Sequence, residues 1–315
     1  MLPRIGITLG DPGGVGPEIV LKAIQKRSSM PKGSFILFGS HEVFETQKKS
    51  LSWQDKDAVE YSFVDVETRF SEIKTGEPAQ ENGRLSFSSF IKALEMARSR
   101  SLDAIVTAPI SKHSWNLAGI KWAGHTEYLH SLYPEAIMSF FSENLNVALF
   151  SHHLPLKKAL RRVNKKSLEN FFSLLHKHIR KIGEKQYRYL VAGLNPHAGE
   201  SGMLGREEEK KIKPAVEAAR KKGIPIDGPF PADVIFRMAR SHSDNIVIAL
   251  YHDQGLIAFK LDSFYTGVNV TLGLPFVRTS PDHGTAFDIA GKNLADPRSM
   301  MRAICLAGRF AAGQR

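Results

Sequence analysis

Three histidines stand at matching places in this sequence. His153 falls in Ser151-His152-His153-Leu154-Pro155-Leu156, His197 in Gly193-Leu194-Asn195-Pro196-His197-Ala198-Gly199-Glu200, and His252 in Tyr251-His252-Asp253-Gln254-Gly255. Each follows a short apolar run and lies close to Gly or Pro. Neutral imidazoles are good ligands for zinc, cobalt and related divalent ions. Three of them around an open position would let a metal polarise a substrate oxygen. For any one of these histidines a cap or a core contact is the better reading; the shared position of all three favours a ligand set. Asp253, beside His252, is suited to orienting the imidazole or relaying a proton, although a carboxylate there also serves as a helix cap.

Groups that hold anions accompany them. Lys260, Asn269 and Arg278 follow His252 within a short stretch, and ammonium, amide and guanidinium together are what a phosphate and a carboxylate require. Ala123-Gly124-His125-Thr126-Glu127 adds an imidazole and a hydroxyl at a predicted helix start, where Thr126 is also readable as an N-cap alone. Lys112 is a weaker candidate for proton transfer, with a surface lysine as the plainer reading. Near the amino end, Gly10-Asp11-Pro12-Gly13-Gly14-Val15-Gly16-Pro17-Glu18 follows an apolar run. Gly13, Gly14 and Gly16 would let backbone approach a cofactor at a helix start, where anions are favoured. The spacing is not that of a dinucleotide fingerprint, and a plain tight strand-to-helix turn accounts for the glycines equally well.

These loops need a scaffold. Apolar, β-rich runs at 4–9, 34–38, 103–107, 146–150, 187–192, 245–250 and 267–272 read as strands. Helical periodicity fills the intervals, as at 84–98, 166–181 and 206–222; Phe87, Phe90, Ile91 and Leu94 share one face of the first. Such alternation predicts a mainly parallel, twisted sheet covered on both faces, with function gathered beyond the carboxyl ends of its strands. The length, 315 residues, suits two α/β lobes better than one core. No repeat or low-complexity linker divides them.

Composition narrows the function. A hydrophobic fraction of 42% with 24% charged residues excludes a disordered chain. No apolar run approaches membrane-spanning length, and the start is too short in apolar residues for a signal peptide. Cys305 is the single cysteine, which excludes an intrachain disulfide and a thiolate metal cluster; a cytoplasmic location is expected. The net charge of +11 admits a nucleic-acid binder. Much of the excess, however, lies over 157–188 interleaved with Leu160, Val163, Leu168, Phe171 and Leu175, as on solvated faces of amphipathic helices. Zinc-finger spacing, aromatic RNA-binding strings and basic tails are missing from the sequence.

The ordered segments GDPGGVGPE, AGHTE, HHLPL, GLNPHAGE, GPFPAD, YHDQGL and GVNVTLGLPFVRTSPDHGTAFDIAG resemble the 4-hydroxythreonine-4-phosphate dehydrogenase family. They spread over most of the chain. The resemblance implies a two-lobed α/β/α sandwich like isocitrate and isopropylmalate dehydrogenases, with an active-site cleft between lobes. It divides the chain into 1–112 with 275–315, a cofactor lobe holding both termini, and 113–274, a metal, substrate and dimerisation lobe. It implies a homodimer in which His153, His197 and His252, drawn from both subunits, bind zinc, magnesium or cobalt. His125, Thr126, Lys260, Asn269 and Arg278 match positions that hold the phosphorylated substrate. His283-Gly284-Thr285-Ala286-Phe287-Asp288 resembles the adenosine-binding loop of isopropylmalate dehydrogenases, where an acid at Asp288 bonds the ribose and disfavours a 2′-phosphate, hence NAD. Asp296 stands where that superfamily often has an adenine-contacting asparagine.

The implied reaction is NAD-linked oxidation and decarboxylation of 4-phosphohydroxy-L-threonine in vitamin B6 synthesis. One alternative is 4-phosphothreonate or 4-phosphoerythronate oxidation in sugar-acid catabolism. Another, of a different class, is a basic nucleotide- or RNA-binding protein on a degenerate scaffold, against which the intact His153, His197, His252, Lys260 and Arg278 argue.

Overall fold

A computed structural model describes residues 2–51, 53, 58–66, 72–183 and 186–314. The chain forms two compact units, Met1–Ala136 with Val268–Arg315, and Ile137–Gly267. The first begins β1 (Arg4–Thr8), α1 (Gly16–Ile24), β2 (Ser34–Gly39), α2 (His41–Ser50), β3 (Tyr61–Asp65), α3 (Gln80–Arg98), β4 (Ala104–Thr107), α4 (Lys112–Leu117), α5 (His125–Leu132). The second comprises β5 (Ile137–Phe141), β6 (Asn146–Leu149), α6 (Leu156–Arg162), α7 (Lys165–Lys181), β7 (Arg188–Ala192), α8 (Lys213–Lys221), β8 (Ile226–Phe230), α9 (Ile235–Ala239), β9 (Asn245–Ala249) and α10 (His252–Ser263). The chain then returns to the first unit through β10 (Val268–Leu272), β11 (Val277–Pro281) and α11 (Arg298–Gly313).

In the first unit the strands lie in the order β3-β2-β1-β4-β11-β10. All pair in parallel except β10 with β11. The second unit orders β5-β6-β9-β7-β8, parallel apart from β5 with β6. Strands such as β1, β4, β6 and β9 are buried along almost their whole length. That is why they read as continuous apolar runs rather than alternating ones.

All seven expected strands form. β3, β5, β8 and β11 are additional. β8 holds Asp227, Gly228 and Pro229, a turn-like composition, and β11 buries the polar Arg278, Thr279 and Ser280; neither pattern announces a strand. The helical signal over 206–222 resolves into a π-helical turn, Glu208–Ile212, followed by α8. Pro214 has no N–H for an ordinary helical bond to the preceding turn, and a widened turn accommodates it.

The units divide after Ala136 and Gly267, where the sequence reading placed the boundaries after 112 and 274. Packing explains the difference. Trp115 of α4, Leu129 of α5 and Ala136 share a buried cluster with Phe90 of α3 and with Leu274 and Phe276, and Trp115 Nε1 donates to Ser86 Oγ at 2.9 Å. A fully buried aromatic of this kind contributes on the order of 2–3 kcal/mol by area alone, which holds α4 and α5 to α3. The second unit has its own core, centred on Val147, Val247, Ile235 and Phe259.

Candidate active site

In the first unit β4, β10 and β11 bring together residues expected to bind an anion. Arg278, on β11, is 3% exposed. Its Nη2 donates to Thr107 Oγ1 at 2.7 Å and its Nη1 to Thr271 Oγ1 at 3.1 Å, while Nε is buried without a partner. Desolvation lowers its pKa to about 10, against the opposing pull of the Glu127 carboxylate. A guanidinium in such surroundings remains cationic at neutral pH, with hydroxyls rather than a carboxylate as its hydrogen-bond partners.

His125 begins α5, its ring held edge-on against Phe90 at 4.6 Å and Trp115 at 5.4 Å between centroids. Burial drives its pKa well below the usual histidine value, the Arg278 charge adds to this, and Glu127 opposes it. The imidazole is therefore neutral at pH 7, with Nε2 buried and unpartnered. Asn269 on β10 likewise has Oδ1 buried without a partner. Thr126 is the second residue of α5; the cap position belongs to Gly124, at φ 154°, so the N-cap reading of Thr126 does not hold. Lys112, the first residue of α4, is exposed. Its Cε lies 3.8 Å from where a Cβ on Gly124 would stand, and Glu127 Oε2 lies 3.2 Å from the same point.

The glycine loop forms a tight turn between β1 and α1, one of its two readings. The N–H groups of Gly13 and Gly14 donate to Asp11 Oδ1 and Asp11 O, and that of Val15 to Thr285 O at 2.9 Å. These donors are engaged within the protein, as the tight-turn reading of Gly13 and Gly14 requires. A Cβ on Gly13 would stand 2.3 Å from Lys74 O, on Gly14 2.8 Å from Thr285 O, and on Gly16 2.3 Å from Leu9 O. The loop thus seats the 283–291 segment. In that segment Gly284 is open, His283 Nδ1 lies 2.9 Å from Gly284 O, and Asp288 is exposed. Asp296 is occupied by Arg298, whose N and Nε donate to its two oxygens at 2.9 and 2.7 Å; this hydrogen bonding holds its carboxyl below the usual range. Sequence reading missed Glu18 and Lys22. Glu18 Oε1 accepts from Ala295 N at 2.8 Å and from Lys22 Nζ at 2.7 Å, and Lys22 also donates to the carbonyls of Asn293 and Ala295. The only signal was an i,i+4 acid–base pair on α1, which usually marks a solvated face.

In the second unit β6, β9 and β7 run parallel and in register, Leu149 opposite Ala249 and Val191 opposite Ile248. Their carboxyl ends therefore release the His153, His252 and His197 loops from one edge. His153 sits at φ 41° and His252 opens α10, with ring centroids 5.7 Å apart. His252 Nδ1 meets Asp253 Oδ1 at 2.6 Å. Both histidines line a cavity of about 270 Å³ with Leu154, Leu156, Tyr251 and Asp253. Lys260 lies on α10, half-buried. His197 opens a run of left-handed residues through Ser201 and is exposed. Among the described residues, no group of three or more His, Cys, Asp or Glu in the single chain could hold a metal ion: the chain brings His153 and His252 together and leaves His197 outside that pair.

The family described as pyridoxal phosphate biosynthetic protein PdxA matches residues 22–307. A protein of Halalkalibacterium halodurans with the provisional name D-threonate 4-phosphate dehydrogenase is 37% identical, covering 98% of this chain and 97% of its own length. A 4-hydroxythreonine-4-phosphate dehydrogenase of Desulforapulum autotrophicum is 38% identical, over 97% of this chain and 94% of its own. The crystal structure of 4-hydroxythreonine-4-phosphate dehydrogenase from Klebsiella pneumoniae aligns with a TM-score of 0.86 and 35% identity, covering 99% of this chain and 98% of that one. An isocitrate dehydrogenase of Methylococcus capsulatus shares the fold at a TM-score of 0.51 and 14% identity, covering 96% of this chain and 84% of that one.

Proposed function

Since the chain belongs to the pyridoxal phosphate biosynthetic protein PdxA family, we propose that it is a dehydrogenase that oxidises and decarboxylates 4-phosphohydroxy-L-threonine with NAD, yielding 3-amino-2-oxopropyl phosphate. The observation that carries the reading is Arg278, a buried cation hydrogen-bonded only to hydroxyls, beside the buried, unpartnered atoms of His125 and Asn269. A buried cation hydrogen-bonded to no anion is costly, and a substrate phosphate or carboxylate would supply the anionic hydrogen-bond partner. The family resemblance adds Thr126 and Lys260 to the substrate groups of this reading. His125, being neutral, binds as a hydrogen-bonding group rather than as a charge.

The reaction moves a hydride from the substrate's C3 to the nicotinamide and releases the C3 hydroxyl proton. The β-keto acid so formed, 2-amino-3-oxo-4-phosphooxybutanoate, loses carbon dioxide, and C2 takes up a proton. In this reading Asp253, or Lys112, is the group that would handle these protons. The donor set suits a divalent ion, because all three candidate ligands are imidazoles and Asp253 already orients His252. Zinc, magnesium or cobalt held by His153, His197 and His252 would supply the positive charge that lowers the hydroxyl pKa.

His197 lies outside the pair, so a second copy of the chain completes the ligand set in this reading. Ile257, Leu261 and Phe264 of α10 and its carboxyl end are 62%, 84% and 61% exposed, an apolar stripe suited to such an interface. Asp288 supports NAD over NADP, since its carboxylate would repel a 2′-phosphate. A cytoplasmic site of action belongs to the same reading; among the described residues no helix is long and apolar enough to cross a membrane.

The test offers purified protein, with added divalent metal and NAD, 4-phosphohydroxy-L-threonine and 4-phospho-D-threonate in parallel, and follows NAD reduction. Preference for the amino acid is expected. Preference for the threonate would move the chain to sugar-acid catabolism, and no turnover of either would remove the substrate reading.

A further inference from the structure

One continuous series of hydrogen bonds joins the three histidine loops of the second unit. Ser151 Oγ, two residues before His153, donates to Leu250 O at 2.7 Å. The N–H of Leu250 donates to Gln254 Oε1 at 2.7 Å, and Gln254 Nε2 donates to Gly193 O at 2.7 Å. Immediately beyond Gly193, the N–H groups of Leu194 and Asn195 both donate to Glu208 Oε1 at 2.7 Å. Asn195 Nδ2 reaches Glu208 Oε2 and Glu207 Oε2, each at 2.9 Å. Glu208 is 0% exposed and lies on the π-helical turn.

Gln254 is the hinge point of this series. Its amide oxygen secures the turn that starts α10 at His252, and its amide nitrogen secures the carbonyl from which the His197 loop departs. A residue that only capped α10 would need an acceptor and no second bond. Gly255, next to it, packs tightly against the sheet, with a Cβ there 2.8 Å from Val147 Cγ1, so the turn has little freedom to move away from β6. The left-handed run His197–Ser201 has strained backbone and needs such external support to persist.

We propose that Gln254 is a positioning residue that fixes the His252 turn and, through Leu250 and Ser151, the His153 loop, and ties the His197 loop to the same scaffold, so that each copy of the chain presents its pair and its third imidazole in fixed positions to the divalent ion of an assembled site. The proposal rests on the reading of these histidines as metal ligands. Groups that orient ligands from behind typically change metal affinity about 10–100-fold when removed.

The test uses the full chain loaded with Co(II), whose visible absorption reports ligand geometry, and measures affinity by competition with a chelator. Gln254→Met removes both bonds at nearly constant volume. Gln254→Glu keeps the acceptor for Leu250 N–H but sets a carboxylate oxygen against Gly193 O. Both variants are expected to bind Co(II) about 10–100-fold more weakly, with an altered absorption band, while the metal-free unfolding midpoint of Gln254→Glu changes less. Wild-type affinity and spectrum in Gln254→Met would overturn the proposal, as would wild-type behaviour of Gln254→Glu, which would reduce the residue to a helix cap. His197→Ala separates the two layers: if it leaves Co(II) affinity and spectrum unchanged, the ligand reading itself fails.

Discussion

In the proposed function, the buried neighbourhood of Arg278 and His125 would serve binding at the expense of stability. The guanidinium is removed from water with hydroxyl hydrogen-bond partners only, an arrangement that favours an incoming anion over the empty fold. Replacing it by Met should therefore separate the two properties. Arg278→Met is expected to lower kcat/KM about 10–100-fold, the equivalent of a lost charge-assisted hydrogen bond of about 1.5–3 kcal/mol, while the unfolding midpoint stays level or rises. Steady-state kinetics and a thermal melt on the same preparation check both halves; a large fall in midpoint would mean that the cation supports the fold. His125 gives a pH signature. Its folded pKa lies well below the ordinary value of 6.5, so below that pH the unfolded chain takes up a proton that the folded one resists. Stability is then fully present above pH 6.5 and falls as pH drops toward the folded pKa, by about 1.4 kcal/mol per unit for one proton. Urea titrations of His125→Gln should show a shallower acid limb than wild type; an unchanged slope would place the proton elsewhere.

Among the elements, the parallel strands were the most legible because burial on both faces writes them as uninterrupted apolar runs. β1, β4, β6, β7 and β9 follow that rule, and the loops beyond them were singled out for the same reason. β11 escaped because a strand that carries Arg278, Thr279 and Ser280 inward does not look apolar. The glycine loop was legible as a special turn but not in its purpose. Sequence shows that Gly13 and Gly14 leave room; only the fold shows that Lys74 and Thr285 fill it. Gln254 and Glu208 were illegible as braces because their partners are backbone groups 61 and 14 residues away. The glycine loop yields its own prediction. A Cβ on Gly14 would meet Thr285 O at 2.8 Å, backbone that cannot swing aside, so Gly14→Ala should displace the 283–291 segment. Overpacking of this kind costs about 1–3 kcal/mol. If that segment holds the cofactor, KM for NAD should rise several-fold more than KM for the phosphorylated substrate. Equal changes in both, measured by varying each substrate in turn, would leave Gly14 with stability alone.

For the whole molecule, the charge of +11 and the apolar stripe on α10 ask for different partners. Basic residues over α6 and α7 alternate with buried Leu168, Phe171, Phe172 and Leu175, so they form the wet faces of helices, whose summed field would attract anionic metabolites. The stripe is another matter. Ile257, Leu261 and Phe264 recur at helical spacing along one exposed face of a helix whose first residue is His252. A face that joins two copies along α10 would also carry a second chain to the neighbourhood of the His153–His252 pair, which among the described residues belongs to no group of three side chains able to hold a metal within its own chain. Assembly and metal binding are then one equilibrium, because whatever binds only the assembled form stabilises it. Leu261, 84% exposed, is the position at which this linkage is open to test. Leu261→Asp places a charge on water-facing surface in a single chain, so the unfolding midpoint of the monomer should barely move. Across an interface the same charge is buried without a partner, which costs several kcal/mol. Sedimentation velocity should therefore find the variant monomeric where wild type is dimeric. Its Co(II) affinity and its turnover should fall together and recover together as protein concentration is raised. A Leu261→Asp protein that remained dimeric and fully active would put the subunit contact elsewhere.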